Sequence, residues 1–181
     1  TVRSALSKRE KEKFIQIKPG SGAFVIHKTS LVPVSEVKNA NPLELIDARF
    51  ALEPHICRLA VLHGKKEQFQ KLETLVEAME KSVKDPVQFA SADTAFHQVL
   101  ADCTGNNLLI WIINQINSVR GQDEWTKARH LTLNDNIIRT YNIQHKQILS
   151  AIKLREPEKA ASLMKEHLEI ARLSLTRAAG T

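Results

Sequence analysis

Apolar residues recur along this chain in two rhythms. Val2, Ala5 and Leu6, with Phe14, mark one side of a helix over residues 1–14. Ile15 and Ile17 then alternate with Gln16 and Lys18, and Ala23-Phe24-Val25-Ile26 follows Pro19-Gly20-Ser21-Gly22. Two short apolar runs around a Gly-rich turn predict a β-hairpin. Residues 27–41 carry Pro33 and no clear period, so they read as a linker.

From Asn41 onward the rhythm is helical. Asn41-Pro42 is a cap followed by proline at the first helical position, and Gly64 marks that helix's end. A second helix over about 66–83 carries the stripe Phe69, Leu72, Leu75, Val76 and Met79. Asp85-Pro86 opens a third, which stops at Thr104-Gly105. A fourth starts near Asn106 with Leu108, Leu109, Ile112, Ile113 and Ile116, and the pattern leaves its far end, around 121–130, undefined. A fifth runs from about Asn134 to Leu154, and Pro157 lies in the first turn of a sixth that reaches about Ala179. The expected fold is mainly α, with a body of about six antiparallel helices.

Composition agrees with that reading. Gly and Pro number only 6 each, and 43% of residues are hydrophobic, enough for a sizeable core. No apolar run is long enough for a membrane span and no signal segment opens the chain, so the expectation is a cytoplasmic protein without membrane contact. Cys57 and Cys103 lack motif spacing and read as buried small hydrophobes. Charge is lopsided. Seven Lys/Arg against two Glu give residues 1–28 nearly all of the chain's net +6. A basic end on a neutral body suits a polyanion, although a solvated tail would look the same.

Four residues suggest chemistry. Asp93 and His97 are one turn apart on the third helix. His145 lies in the fifth helix among Ile138, Tyr141, Ile148, Leu149 and Ile152. His167 lies in the sixth, flanked by Leu163, Met164, Ile170 and Ala171. His145 and His167 are equally far from the turn at Glu156, so an antiparallel pair sets them side by side. Three imidazoles and a carboxylate suit zinc, nickel, cobalt or manganese. Spacing alone leaves hydrogen-bonded core histidines as an equal alternative. His27, His55, His63 and His130 show no such convergence.

The ordered set of segments resembles bacterial GntR-family transcription regulators of the FadR subfamily, those with an FCD ligand-binding domain. TVRSALSKREKEKFIQIKPGSGAFV is similar to the end of their winged helix-turn-helix, recognition helix then wing. NPLELIDARFALEPHICRLAV, with Arg49 and Glu53, resembles the first FCD helix. DTAFHQVLADCTGNNLL, HKQILSAI and MKEHLEIARL resemble the metal-bearing helices. Arg9 and Lys13 stand where the family usually has leucine and glycine.

The resemblance implies three parts. Residues 1–28 are a partial winged helix-turn-helix whose preceding helices are expected upstream of Thr1, 29–40 a linker, and 41–181 an FCD effector- and metal-binding domain. It places Asp93, His97, His145 and His167 on the family's metal ligands, with zinc the first choice of divalent ion and nickel or manganese next. The metal then serves as a docking point for a small carboxylate effector, a sugar acid or hydroxy acid, and not as a catalyst. Arg49 is the leading candidate cation for that acid, with an i,i+4 pair to Glu53 as its equal alternative. Arg120 and Asn142 are further pocket candidates. Thr1, Arg3, Lys8, Lys18, Gly20 and Ser21 are expected to meet operator DNA. The implied protein is a homodimeric repressor of a carbohydrate or organic-acid operon. A metal-dependent enzyme and a purely structural metal site are the competing readings; the ligand-bearing turns supply no spare carboxylate as a general base. The segment RGQDEWTKARH, with Trp125, resembles hexuronate and sugar-acid regulators.

Overall fold

Asn41 begins the first long helix by accepting the N–H groups of Leu43 and Glu44 on its side chain, at 2.9 and 3.0 Å, while Glu44 returns a carboxylate to the Asn41 N–H. This reciprocal box satisfies donors that no helical carbonyl can reach. Asp85 accepts from the Gln88 N–H, and Asn134 from Asn136 and Ile137. A computed structural model of the protein describes residues 2–12, 14–25, 40–120, 126 and 132–179. The elements are α1 (Val2–Lys11), β1 (Ile15–Lys18), β2 (Gly22–Val25), α2 (Pro42–His63), α3 (Lys66–Lys81), α4 (Pro86–Cys103), α5 (Asn107–Arg120), α6 (Asp135–Lys153) and α7 (Pro157–Ala179). The chain divides into two compact units, Thr1–Ser35 and Glu36–Thr181.

In the first unit β1 and β2 pair antiparallel, with Ile15 opposite Val25 and Lys18 opposite Gly22. Gly20 at φ 76° and Gly22 at φ 102° occupy the region that other residues avoid, which the tight tip requires. Glu10 accepts the Ile17 N–H at 2.8 Å and so joins α1 to β1. The inward face expected of α1 is not inward. Val2 is 78% exposed, Ala5 is also exposed, and Phe14 is only partly covered. Within this unit α1 packs chiefly on β1. Arg9 pairs with Glu12 and lies 5.4 Å over the Phe14 ring. Of the expected linker, residues 40 and 41 are described, and Asn41 caps the following helix; Lys13 falls outside the described residues.

The second unit is the six-helix body. α2 packs most extensively on α7, α3 on α4, and α6 on α7, while α4 also touches α2 and α5. Phe89, Phe96, Ile113, Ile138, Ile148 and Met164 are among its fully buried side chains. Each such residue contributes roughly 1.5–3 kcal/mol relative to exposure. The inward stripe of α5 differs from expectation. Leu108 is 65% exposed, because the buried face runs through Ile113, Ile116 and Arg120 instead. Cys57 and Cys103 are free and buried; burial pushes both thiols up, Cys103 to about 12.

Gly64 ends α2 for a reason other than left-handed backbone. Its φ is −62°, but a Cβ there would lie 2.4 Å from the Phe69 ring and 2.5 Å from the Ala60 carbonyl oxygen. Gly64→Ala should destabilise the protein by about 1–3 kcal/mol through overpacking against backbone. A lowered urea midpoint with unchanged slope would show it, and an unshifted midpoint would refute it.

Candidate metal centre

The site is built where three helices turn their most buried faces to one point. α4 supplies Asp93 and His97 one turn apart, α6 supplies His145 and α7 supplies His167. All four are buried, none exposed by more than 2%. One donor atom from each lies within 4.8 Å of every other, and among the described residues this group alone could share an ion. The rings of His145 and His167 are 4.6 Å apart between centroids, and His97 stands 5.6 and 5.5 Å from them. Phe96 meets the edge of His145 at 4.8 Å, and Tyr141 that of His167 at 5.1 Å. These aromatic neighbours pack on the imidazoles and hold ring orientation.

The donors face a common centre. His145 Nε2 is 3.2 Å and His97 Nε2 3.6 Å from Asp93 Oδ1. Neither Nε2 makes a well-formed hydrogen bond, and both converge on the same carboxylate oxygen. The other side of two rings has an oxygen nearby: His97 Nδ1 lies 2.7 Å from Glu53 Oε2, a close contact short of a well-formed hydrogen bond, and His167 Nδ1 pairs with Gln144 Oε1 at 3.1 Å. Three imidazoles and one carboxylate with inward nitrogens fit a borderline divalent ion such as zinc or nickel.

Electrostatics point the same way. Burial alone would raise the Asp93 carboxyl, but the Arg120 guanidinium, paired to its Oδ2, with His145 and His97 holds it well below the usual range. Glu53 is also lowered, since Arg49 and then His97 outweigh its burial. Burial lowers His145, partly offset by Asp93, and lowers His167 further with help from its two neighbouring rings. Both rings are therefore neutral at pH 7, the form that ligates. Unfolding returns them to about 6.5, where they take up protons. Chelated protein should thus lose stability as pH falls below about 6.5, by up to about 1.4 kcal/mol per pH unit for each ring. The two depressed carboxylates contribute their stability above about pH 4, and it is lost only below that. Thermal melts in EDTA between pH 7.5 and 5 check this; a flat profile would contradict it.

The structure distributes the other expected residues unevenly. Arg49 is buried and gives Glu53 two hydrogen bonds, of 2.7 and 3.3 Å. Arg120 is committed to Asp93. Asn142 donates to the Met79 carbonyl at 3.2 Å, while its buried Oδ1 has no hydrogen-bond partner. Lys8, Lys18, Gly20 and Ser21 are exposed in the first unit, with Ser21 N–H closing the turn on Lys18 at 3.0 Å. Thr1, the Arg3 side chain, His27, Trp125 and His130 lie outside the described residues, whereas His55 and His63 are exposed on α2.

Sequence reasoning missed two contacts. Glu53 was visible only as a partner for Arg49, yet it also reaches His97 from across α2 and α4. Gln144 was not singled out, although it precedes His145 and reaches His167. Helix periodicity gave no sign of either, because both depend on how two helices rotate against each other.

Comparison with known proteins now gives this arrangement a context. Residues 44–170 match the model of the FCD domain. The chain is 28% identical over 177 residues to the Uxu operon regulator of Haemophilus influenzae, covering 96% of this chain and 66% of that protein. It is 27% identical over 181 residues to the Exu regulon transcriptional regulator of Escherichia coli, covering 96% and 69%. The chain thus spans about two thirds of the length of these relatives, which are transcriptional regulators and not enzymes. Among solved structures, Streptococcus agalactiae GntR superposes with a TM-score of 0.61 at 25% identity, over 96% of this chain and 80% of that one. No helix of the described residues is long and apolar enough to cross a membrane. The match to the FCD domain over most of the chain, together with these regulators, shows that the chain belongs to the FCD-domain family, among regulators of the GntR/FadR type.

Proposed function

We propose that this chain is the sensing part, with a portion of the DNA-reading part, of a homodimeric repressor that responds to a small carboxylate, a sugar acid or hydroxy acid. The observation that carries the reading is the buried convergence of Asp93, His97, His145 and His167 with two guanidinium groups close by. A divalent ion held there supplies Lewis-acid attraction for an acid's oxygen atoms. Zinc suits the donor set best, with nickel or manganese next. The chain's own residues do the rest. Arg120 sets the charge of Asp93 and stands at the ligand face. Asn142 offers an acceptor for a hydroxyl. Arg49 adds positive potential from behind Glu53, a smaller share than a free guanidinium would take, because its N–H groups are engaged. Burial of the cluster strengthens each of these attractions.

On the DNA side, the reading assigns Thr1, Arg3 and Lys8 to the major groove and Lys18, Gly20 and Ser21 to a wing contact. Two such heads in a dimer meet two half-sites, and an acid that prefers one spacing of the heads shifts the population between states. Glu53 is the carboxylate next to the cluster, but it faces the back of His97 and is held by Arg49, so it supports no hydrolytic role. The test is a mobility-shift titration of the whole regulator on its operator, with a panel of hexuronates, aldonates and hydroxy acids, with and without EDTA. Release of DNA by one acid, lost on chelation, supports the proposal. DNA affinity insensitive to every acid overturns it. Acid response that survives chelation would leave the ion a structural role only.

A further inference from the structure

Three imidazoles can hold one ion only if each turns a nitrogen lone pair towards it. Neutral imidazole carries one N–H, and the partner of one nitrogen decides which lone pair is free at the other. Two of the rings have an acceptor oxygen close to that nitrogen. Glu53 Oε2 stands 2.7 Å from His97 Nδ1, and both of its oxygens are further held by Arg49. Gln144 Oε1 stands 3.1 Å from His167 Nδ1. His145 Nδ1, like His97 Nδ1, makes no well-formed hydrogen bond, but the His97 atom has an acceptor close at hand in Glu53 Oε2.

We propose that Glu53 and Gln144 are positioning residues of the metal centre, each accepting the Nδ1–H of one imidazole, His97 and His167, and so turning its Nε2 lone pair inward. This rests on the metal reading above. Arg49 then acts through Glu53: it anchors the carboxylate from α2 so that the oxygen meets a ring on α4. His145 is left as the adaptable ligand, with its orientation set by ring packing on Phe96 and by Asp93.

The consequence is specific. In Glu53→Gln, the amide can turn its NH2 towards His97 Nδ1. That ring would then keep its proton on Nε2, pointed at the ion. Loss of an outer-shell partner of this kind typically costs roughly 10–100-fold in metal affinity. Titration of the whole chain with Co2+, followed by visible absorption and competed by a chelator of known affinity, measures it. Expected for E53Q is a loss of about 10–100-fold with altered band positions. Expected for Gln144→Ala is a loss of about 10-fold, recovered in Gln144→Glu, which restores an acceptor. Gln144 is only half-buried, so its variants keep the fold even where E53Q leaves Arg49 poorly paired. Melting of each chelated variant within a few degrees of the wild type separates positioning from collapse. Wild-type cobalt affinity and spectrum in both E53Q and Q144A would overturn the positioning roles while the metal reading stands. A wild-type chain that takes up no cobalt would overturn both.

Discussion

His145→Ala should weaken zinc or nickel binding by more than about 100-fold, since even outer-shell partners cost 10–100-fold. The side chain is fully buried between α4 and α7, its Nε2 lies 3.2 Å from Asp93 Oδ1, and its ring centroid is within 5.6 Å of both other imidazoles. Tyr141 and Asn142, about one turn earlier on α6, offer phenolic and amide oxygens, poor replacements for an imidazole on a borderline ion. The same substitution removes a bulky ring from a packed core, and a cavity costs stability in either state. Measuring both quantities separates the effects. Calorimetric metal titration should show the loss of binding, and the chelated variant should still unfold cooperatively. Retention of one tightly held ion per chain in H145A would end the four-ligand reading.

The second large effect is on stability. Arg120→Met should destabilise the chelated protein by about 3–5 kcal/mol, the usual result of leaving one partner of a buried ion pair uncompensated. Arg120 and Asp93 are each only 2% exposed at the side chain, and the Arg120 guanidinium is the main influence holding the Asp93 carboxyl down. Without it Asp93 should titrate at higher pH, so the variant's stability should begin to fall earlier as pH drops. In metal-loaded protein the loss should be smaller, because a cation on the other carboxylate oxygen compensates the same charge. Urea unfolding with and without EDTA checks this. Equal losses in the two conditions would mean that Asp93 does not face a cation site.

Much of this fold could be read in the sequence because its helix starts are local. Asn41, Asp85 and Asn134 cap through hydrogen bonds to residues two or three positions ahead, and such contacts need no knowledge of the tertiary fold. The meeting of His145 with His167 was legible for a related reason. One short turn near Glu156 relates the two helices, and equal distance from it fixes equal depth. The links through Glu53 and Gln144 were not legible, since they depend on rotation of α2 and α6 about their own axes. Nor was the exposure of Val2, Ala5 and Leu108. Their apolarity predicts an inward face, but which face a helix buries is set by its neighbours. Arg120 illustrates the same limit: a charged residue completes the inner stripe of α5 because Asp93 waits opposite.

The donors of the site are scattered over α4, α6 and α7, about seventy positions apart along the chain at the extremes. They come together only in the folded chain. An ion that recognises all four therefore binds the native state and hardly binds the unfolded one, and mass action turns its free concentration into folding free energy. At a thousandfold excess over its dissociation constant that amounts to about 4 kcal/mol. The lifetime of such a regulator, and hence its abundance, would track metal supply even where no acid is present and no operator is contacted.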